Sequence, residues 1–188
     1  MTSLWRALKM FLWLTFLTGV VYPVFTLGIA QFMPGKTQGS LITSNGKVVG
    51  SLLIAQSFES DRYFWPRPSS GNFDPLQSGG SNLGPTSLKL KNLVKSRQSS
   101  ISKAHSGVDL ASIPSEMLYA SGSGLDPHIS LDAANFQFAR VANARKLNDQ
   151  KKKELQDLIT RLNEEIGRSF LGGSCVNVLE INLAIDRL

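Results

Sequence analysis

Apolar positions along this chain are continuous near the N-terminus and periodic afterwards, and the change divides it in two. From Met10 to Gly35 the run MFLWLTFLTGVVYPVFTLGIAQFMPG contains no charged residue and lies between Lys9 and Lys36. About 20 apolar residues cross a hydrocarbon core roughly 30 Å thick, so the run predicts a membrane-spanning helix with some tilt. Its flanking lysines can snorkel to the two interfaces. Charged residues break up every later apolar stretch. Residues 1–9 then read as a short basic N-terminus, 10–35 as the anchor and 36–188 as a soluble domain. A cleaved signal has an apolar region of about 7 to 15 residues, shorter than this one, so an uncleaved anchor is expected although Gly28 and Ala30 offer small residues. Arg6 and Lys9 on one flank face Lys36 and Lys47 on the other, so charge alone leaves the orientation open. A short basic N-terminus ahead of one span favours that end in the cytoplasm and the domain outside the cell (inner) membrane.

Inside the span, Thr15, Thr18, Gly19, Tyr22 and Thr26 recur at helical spacing and form one polar, small-residue stripe on a helix otherwise made of Leu, Val, Phe and Trp. Membrane helices pack through such stripes, so this one is expected to face a partner. Pro23 lacks an N–H and collides with the Gly19 carbonyl in a regular helix, which predicts a kink there.

Beyond the anchor the periods are those of a mixed domain. Gly39–Thr43 and Lys47–Gln56, rich in Val, Ile and Leu, flank Ser44-Asn45-Gly46 and predict a hairpin, because Asn-Gly supplies the positive φ angles of a tight turn. From Phe58 to Pro85 aromatic residues, proline and glycine dominate, and Pro66, Pro68, Pro75 and Pro85 rule out a central strand or helix interior. Tyr63, Phe64, Trp65 and Phe73 argue that this long loop packs down. A helical stretch through Leu88, Leu90, Leu93 and Val94 is expected to end in the polar Ser99–Ser106. Glu116–Ala120 reads as a short strand before a glycine-rich loop. Ser130 is a good N-cap, with Asp132 in the first turn of the next helix. Leu155, Leu158, Ile159, Leu162 and Ile166 fall on one face of a helix from Asp149 to Ile166, with Gly167 at its end. Val176–Ile185 reads as a closing strand. The fold class is α+β on a single N-terminal transmembrane helix, arranged as a sandwich or an open mixed sheet.

Net charge is +6, of which Arg6 and Lys9 supply two. The remaining lysines are spread out, which argues against nucleic acid as a partner. Lys151–Lys153 is followed by Glu154, Asp157, Glu164 and Glu165 and reads as a solvated helix face. Cys175 stands alone, which excludes an internal disulfide and predicts a buried thiol. His105 and His128 are too few for a zinc site without carboxylates, so no metal is expected.

Chemistry is sought in two glycine-rich loops, Ser78-Gly79-Gly80-Ser81-Asn82 and Gly122-Ser123-Gly124-Leu125-Asp126-Pro127-His128. The first shares its Ser-Gly-Gly core with the signature loop of ABC transporter ATPases, and the second resembles a phosphate-binding turn. No G-x-x-x-x-G-K-[ST] is present, so turn formation is the plainer reading of both. Ser121 or Ser123 with Asp126 and His128 suggests a hydrolase triad, but the G-x-S-x-G elbow such a serine needs is missing.

Taken together, several motifs carry a family resemblance. They are Thr18-Gly19 and Tyr22-Pro23 in the span, Gly50-Ser51 with Gln56 and Phe58, YFWPRPS (Tyr63–Ser69) and SGGSNLGPT (Ser78–Thr86). Further on come ASGSGLDPHIS (Ala120–Ser130), Arg140-Val141 with Arg145, and VNVLEINLA (Val176–Ala184). In this order they resemble the C-subunit family of the Kdp potassium-transporting ATPases over nearly the whole chain. Ala55, Leu131 and Ser174-Cys175 depart from the family pattern and bear on local turn geometry.

The resemblance implies a non-catalytic accessory subunit of a high-affinity, ATP-driven potassium uptake complex, needed for assembly. Its partners would be a potassium-selective, channel-like subunit and a P-type ATP-hydrolysing subunit, in a lipid bilayer. It also implies a catalytic chaperone that raises the ATP affinity of the hydrolysing subunit. No cofactor would be stably bound: ATP is met through a transient ternary complex and potassium is the transported ion. The D-K-T-G-T signature of P-type ATPases is missing, so the chain is not expected to hydrolyse ATP alone. A domain outside the membrane cannot touch cytosolic ATP, and its influence would have to cross as a coupling free energy. The span is then expected to dock through Thr15–Thr26 while the domain covers the ion entrance, the loops Ser78–Pro85 and Gly122–His128 making contact. Two other classes stay open: a membrane-anchored extracytoplasmic hydrolase using Ser123, Asp126 and His128, and a subunit that binds nucleotide directly.

Overall fold

The computed structural model describes residues 2–44, 46–105, 107–167 and 173–188. Asn45, Ser106 and the side chain of Ile166, all singled out by the sequence, lie outside what is described. Two compact units divide the chain, residues 1–41 and 42–188.

In the first unit one helix runs from Thr2 to Ala30 as α1 (Thr2–Phe16), a π-helical turn (Leu17–Val21) and α2 (Tyr22–Ala30). Its 29 residues at about 1.5 Å each reach some 43 Å, more than a hydrocarbon core. The helix starts ahead of the apolar run, because Leu4, Trp5, Ala7 and Leu8 carry helical hydrogen bonding through Arg6 and Lys9. It stops short of the run's end, since Pro34 disfavours helical geometry at Met33 and opens its own short helix, α3 (Pro34–Thr37). The disturbance expected at Pro23 takes the form of the π turn: the Tyr22 amide donates to the Leu17 carbonyl, five residues back. Widening the turn by one residue accommodates the missing donor and the ring. Thr18 Oγ1 donates to Leu14 O at 2.7 Å and Thr26 Oγ1 to Tyr22 O at 3.1 Å. These hydroxyls are satisfied within the helix, so the stripe offers a neighbour close approach.

The second unit is α+β, as expected, but neither a sandwich nor an open sheet. Among the described residues it holds two separate two-stranded sheets. The first is the hairpin of β1 (Leu41–Ser44) and β2 (Lys47–Ser51), with Gly46 at φ +74°. β2 ends earlier than the expected Gln56, whose Nε2 turns back to donate to Val49 O at 3.1 Å. α4 (Leu88–Ala104), capped by Ser87, ends within the polar stretch Ser99–Ser106, where its end was expected. Ile101 is buried and holds that last turn to the core. Glu116 lies in a 3-10 turn (Ser115–Met117) where a strand was expected.

β3 (His128–Ser130) pairs antiparallel with β4 (Cys175–Asn177), matching Ile129 with Val176. Ser130 caps α5 (Leu131–Ala144), its hydroxyl accepting from the Ala133 amide at 3.1 Å. α6 (Asp149–Gly167) buries Leu155, Leu158, Ile159 and Leu162 against α5, β4 and α7. Its lysines are less free than a solvated face implies: Lys151 Nζ donates to the Leu188 carbonyl, and Lys152 pairs with Asp149 at 3.3 Å. The closing segment is corrected most. β4 lasts three residues, and the Asn177 side chain then accepts from the Glu180 amide to start α7 (Val178–Ile185). Val178, Ile181, Asn182 and Ile185 are buried at helical spacing, where alternation had suggested a strand.

Helices rather than strands also serve the stretch 61–65, an exposed turn at Asp61 and Arg62 that leads into the core at the buried Phe64. Asn182 accepts from the Phe64 amide at 2.8 Å and donates to its carbonyl at 2.9 Å. Gln137 does the same for Trp65, at 2.7 and 3.1 Å. Arg140 donates to the carbonyls of Asp61 and Tyr63, and Arg145 to that of Arg62. Phe64, fully buried, is thereby fixed in the core. Replacing Asn182 by Leu keeps the volume and strands two buried backbone groups, so denaturant unfolding of the full chain in detergent should show a loss of about 2–4 kcal/mol. Asn92→Ala on the exposed face of α4 should stay within about 0.5 kcal/mol.

Candidate functional site: two paired glycine loops

The structure brings together the two glycine-rich loops that the sequence singled out 40 residues apart. The Gly79 amide donates to Ser123 O at 2.7 Å, and Ser78 Oγ donates to the same oxygen at 3.1 Å. Gly124 sits at φ +69°, and a Cβ there would lie 3.0 Å from Gly79 O and 3.3 Å from the hydroxyls of Ser69 and Ser70. A Cβ on Gly80 would lie 3.1 Å from Gly122 O. The contact is therefore backbone against backbone, and glycine is required by closeness as well as by conformation.

Residues at the end of the YFWPRPS motif, and Ser70 just after it, brace the pair. Ser70 Oγ donates to the Gly79 carbonyl, Pro68 O accepts from the buried Ser121 amide at 3.1 Å, and Ser69 Oγ accepts from the amides of Gly71 and Phe73. Arg67 Nη1 pairs with Asp126 Oδ2 at 2.9 Å. Asp126 Oδ1 accepts from the His128 amide at 3.0 Å, with His128 Nδ1 at 3.7 Å. His128 first, then Arg67, hold the Asp126 carboxyl below its ordinary range although partial burial pulls the other way. The stabilisation this gives is present above the ordinary carboxylate pKa and is lost as the pH falls through the lowered one. Sequence reasoning passed over the roles of Arg67, Ser69 and Ser70. The available signal was a cation and two hydroxyls locked between prolines and glycine.

Chemically the site is quiet. Ser123 Oγ accepts from the Leu125 amide, and neither Ser121 nor Ser123 bonds His128, so among the described residues the triad is not assembled. The Gly79 and Gly124 amides point at loop carbonyls, and the second loop leads into β3 before any helix begins. Among the described residues no three His, Cys, Asp or Glu side chains are placed to hold a metal. Cys175 is half-buried at the edge of β3–β4, where a buried thiol was expected. Burial, with Asp126 and Glu116 nearby, pushes its pKa up and keeps it a thiol.

The molecule is thus an α+β domain following one N-terminal helix long and apolar enough to cross a membrane, with a conspicuous surface of backbone and small side chains. A family model described as K+-transporting ATPase, c chain, matches residues 4–187. A Potassium-transporting ATPase KdpC subunit of Methylococcus capsulatus (strain ATCC 33009 / NCIMB 11132 / Bath) is 45% identical, over 97% of this chain and 96% of its own. The namesake in Janthinobacterium sp. (strain Marseille) is 44% identical, over 96% of both chains. That of Serratia proteamaculans (strain 568) is 41% identical over the full length of both. The chain belongs to the KdpC family and is an accessory subunit of the potassium-transporting Kdp ATPase.

Two substitutions separate the packing requirement from simple loop composition. Gly124→Ala should cost about 1–2 kcal/mol in the same unfolding measurement, since it adds positive-φ strain to the approach of Gly79 O. Gly122→Ala meets nothing within 4 Å and should stay within about 0.5 kcal/mol.

Proposed function

We propose that this subunit makes no covalent chemistry of its own and acts by docking. The paired loops, with Ser78, Asn82, Ser123 and Asp126 on their rim, form the contact surface toward the channel-like subunit and cover the ion entrance. The stripe Thr15, Thr18, Gly19, Tyr22 and Thr26 seats the anchor against partner helices. The N-terminus lies in the cytoplasm and the domain outside. The observation that carries this reading is the rigid backbone-on-backbone pairing of the two loops in a member of a multisubunit ATPase family. A surface of small side chains held without strain-relieving freedom loses little entropy when another protein closes on it.

From that position the subunit raises the ATP affinity of the P-type subunit as a catalytic chaperone. With the domain outside, the effect crosses the membrane as a coupling between two states of the complex, worth about 1–3 kcal/mol in typical cases. Equilibrium dialysis of the isolated full-length chain should find no ATP binding, while the assembled complex hydrolyses ATP with a KM about 5- to 150-fold lower than the complex lacking this subunit. Direct ATP binding by the isolated chain would return the nucleotide to this subunit's own surface. A cysteine replacing Lys36 should react with a membrane-impermeant thiol reagent in intact cells; labelling only after the membrane is breached would put the domain in the cytosol.

The rim carboxylate gives a separate check on the ion entrance. Asp126→Asn keeps the acceptor for the His128 amide and removes the charge, so potassium uptake at limiting potassium should weaken while the complex still assembles. An unchanged apparent affinity for potassium in the assembled complex would remove Asp126 from the ion path.

A further inference from the structure

His105 ends α4 with only 5% of its surface exposed, and its partners dictate one protonation state. Nδ1 lies 3.0 Å from the Ile101 carbonyl oxygen, which only accepts, so Nδ1 carries the proton. Nε2 lies 3.2 Å from Arg140 Nε, which only donates, so Nε2 is bare. Neutral His105 in this tautomer is the acceptor that completes Arg140. The other guanidinium nitrogens bond Asp61 O at 2.7 Å, Tyr63 O at 3.0 Å and Gln137 Oε1 at 2.8 Å. The guanidinium also lies 3.9 Å from the centre of the Trp65 ring.

The charged groups facing the imidazole are Arg140 from α5 and Asp61 from the 61–65 stretch. Phe136 and Trp65, with ring centres 4.7 and 6.0 Å away, close the other sides, and α4 itself contributes the Ile101 carbonyl. Asp61 stands 3.9 Å from Arg140 and its side chain is 59% exposed, too hydrated to compensate a second buried cation. Burial first, and the charge of Arg140, hold the His105 pKa below its ordinary 6.5, against the pull of the Ile101 carbonyl and Asp61. A cavity of about 300 Å³ lined by Asp61, Ala104, His105, Phe136, Arg140 and Asn143 opens beside the ring and gives water a route to it.

We propose that His105 and Arg140 form an acid-sensitive latch. A proton arriving on Nε2 turns the single acceptor into a donor facing Arg140 Nε–H, and the two cations separate toward the cavity. Arg140 then loses its fixed orientation, and with it the hold on the carbonyls of Asp61 and Tyr63. The released stretch runs straight into Arg67 and Pro68, which brace the paired loops through Asp126 and Ser121. The latch stands independently of the docking reading; only its sensing of the external medium rests on the domain lying outside the membrane.

The test is thermal unfolding of the full-length protein in detergent between about pH 7.5 and 5, for wild type and His105→Gln. The glutamine amide can donate to Ile101 O and accept from Arg140 without titrating. The fold prefers the neutral ring while the unfolded chain takes up its proton near 6.5. The stability is therefore present above that pH and lost as the pH falls from it through the lowered value of the folded state. Across the range the wild-type Tm should fall by about 3 °C more than that of the variant, the effect of one lost buried hydrogen bond in a chain of this length. Equal pH slopes overturn the latch. Should the variant fail to fold, NMR of wild type labelled at its imidazoles decides. An Nδ1–H tautomer that protonates below its ordinary pKa, together with loss of protection at the Trp65 amide, supports the latch. Protonation at the ordinary value with that amide still protected overturns it.

Discussion

Backbone amides and carbonyls that enter a core must be bonded, and in this domain that constraint falls on helices instead of strands. Residues 61–65 have no strand beside them, yet Asn182, Gln137, Arg140 and Arg145 reach from α7 and α5 to hold one carbonyl or amide after another. Each of these bonds contributes only about 1 kcal/mol net, but each group left unmade would cost more than that. The arrangement explains why Gln137 and Asn182, 0% and 1% exposed, sit on faces that otherwise bury Ala133, Val141, Ile181 and Ile185. Arg140 adds a charge to the interior and is tolerated because every nitrogen is bonded and an indole covers its plane. Even so, desolvation lowers its pKa to about 10, which leaves it a cation at any physiological pH.

That stretch positions the surface on which the subunit's work is proposed to depend. Phe64 is fixed between α5 and α7, so the prolines and serines after it are delivered at a set place. There they close the two glycine loops on each other through Ser70, Pro68 and the Arg67–Asp126 pair. Precision in the loops is thus borrowed from the core beneath them, which suits the docking role proposed for them. In the N-terminal helix the same need to satisfy backbone groups appears in another form, where a π turn accommodates Pro23.

Local signals in the chain were legible wherever neighbours in sequence are also neighbours in space. The long apolar helix, the β1–β2 hairpin, the Ser130 cap and the apolar stripe of α6 depend on residues within about one or two turns of each other. The aromatic, proline-rich stretch was readable as a packed loop because its rings needed burial, although nothing local said what they would pack against. Both glycine loops were visible as turns. The motif order carried the family, which the matches over residues 4–187 bear out.

What the sequence by itself determined about this protein is an N-terminal helix apolar enough to cross a membrane ahead of an α+β domain, the helices with an unbroken apolar face, and the family. Tertiary structure alone decided the rest. VNVLEINLAI alternates well enough for a strand, and it becomes a helix because β3 offers only three residues of pairing and Asn177 caps the turn beyond them. Pairing of Gly79 with Ser123, and of Arg67 with Asp126, joins positions tens of residues apart through backbone atoms and one ion pair. No local period encodes such contacts, because they exist only once the core has brought the two loops within hydrogen-bonding distance.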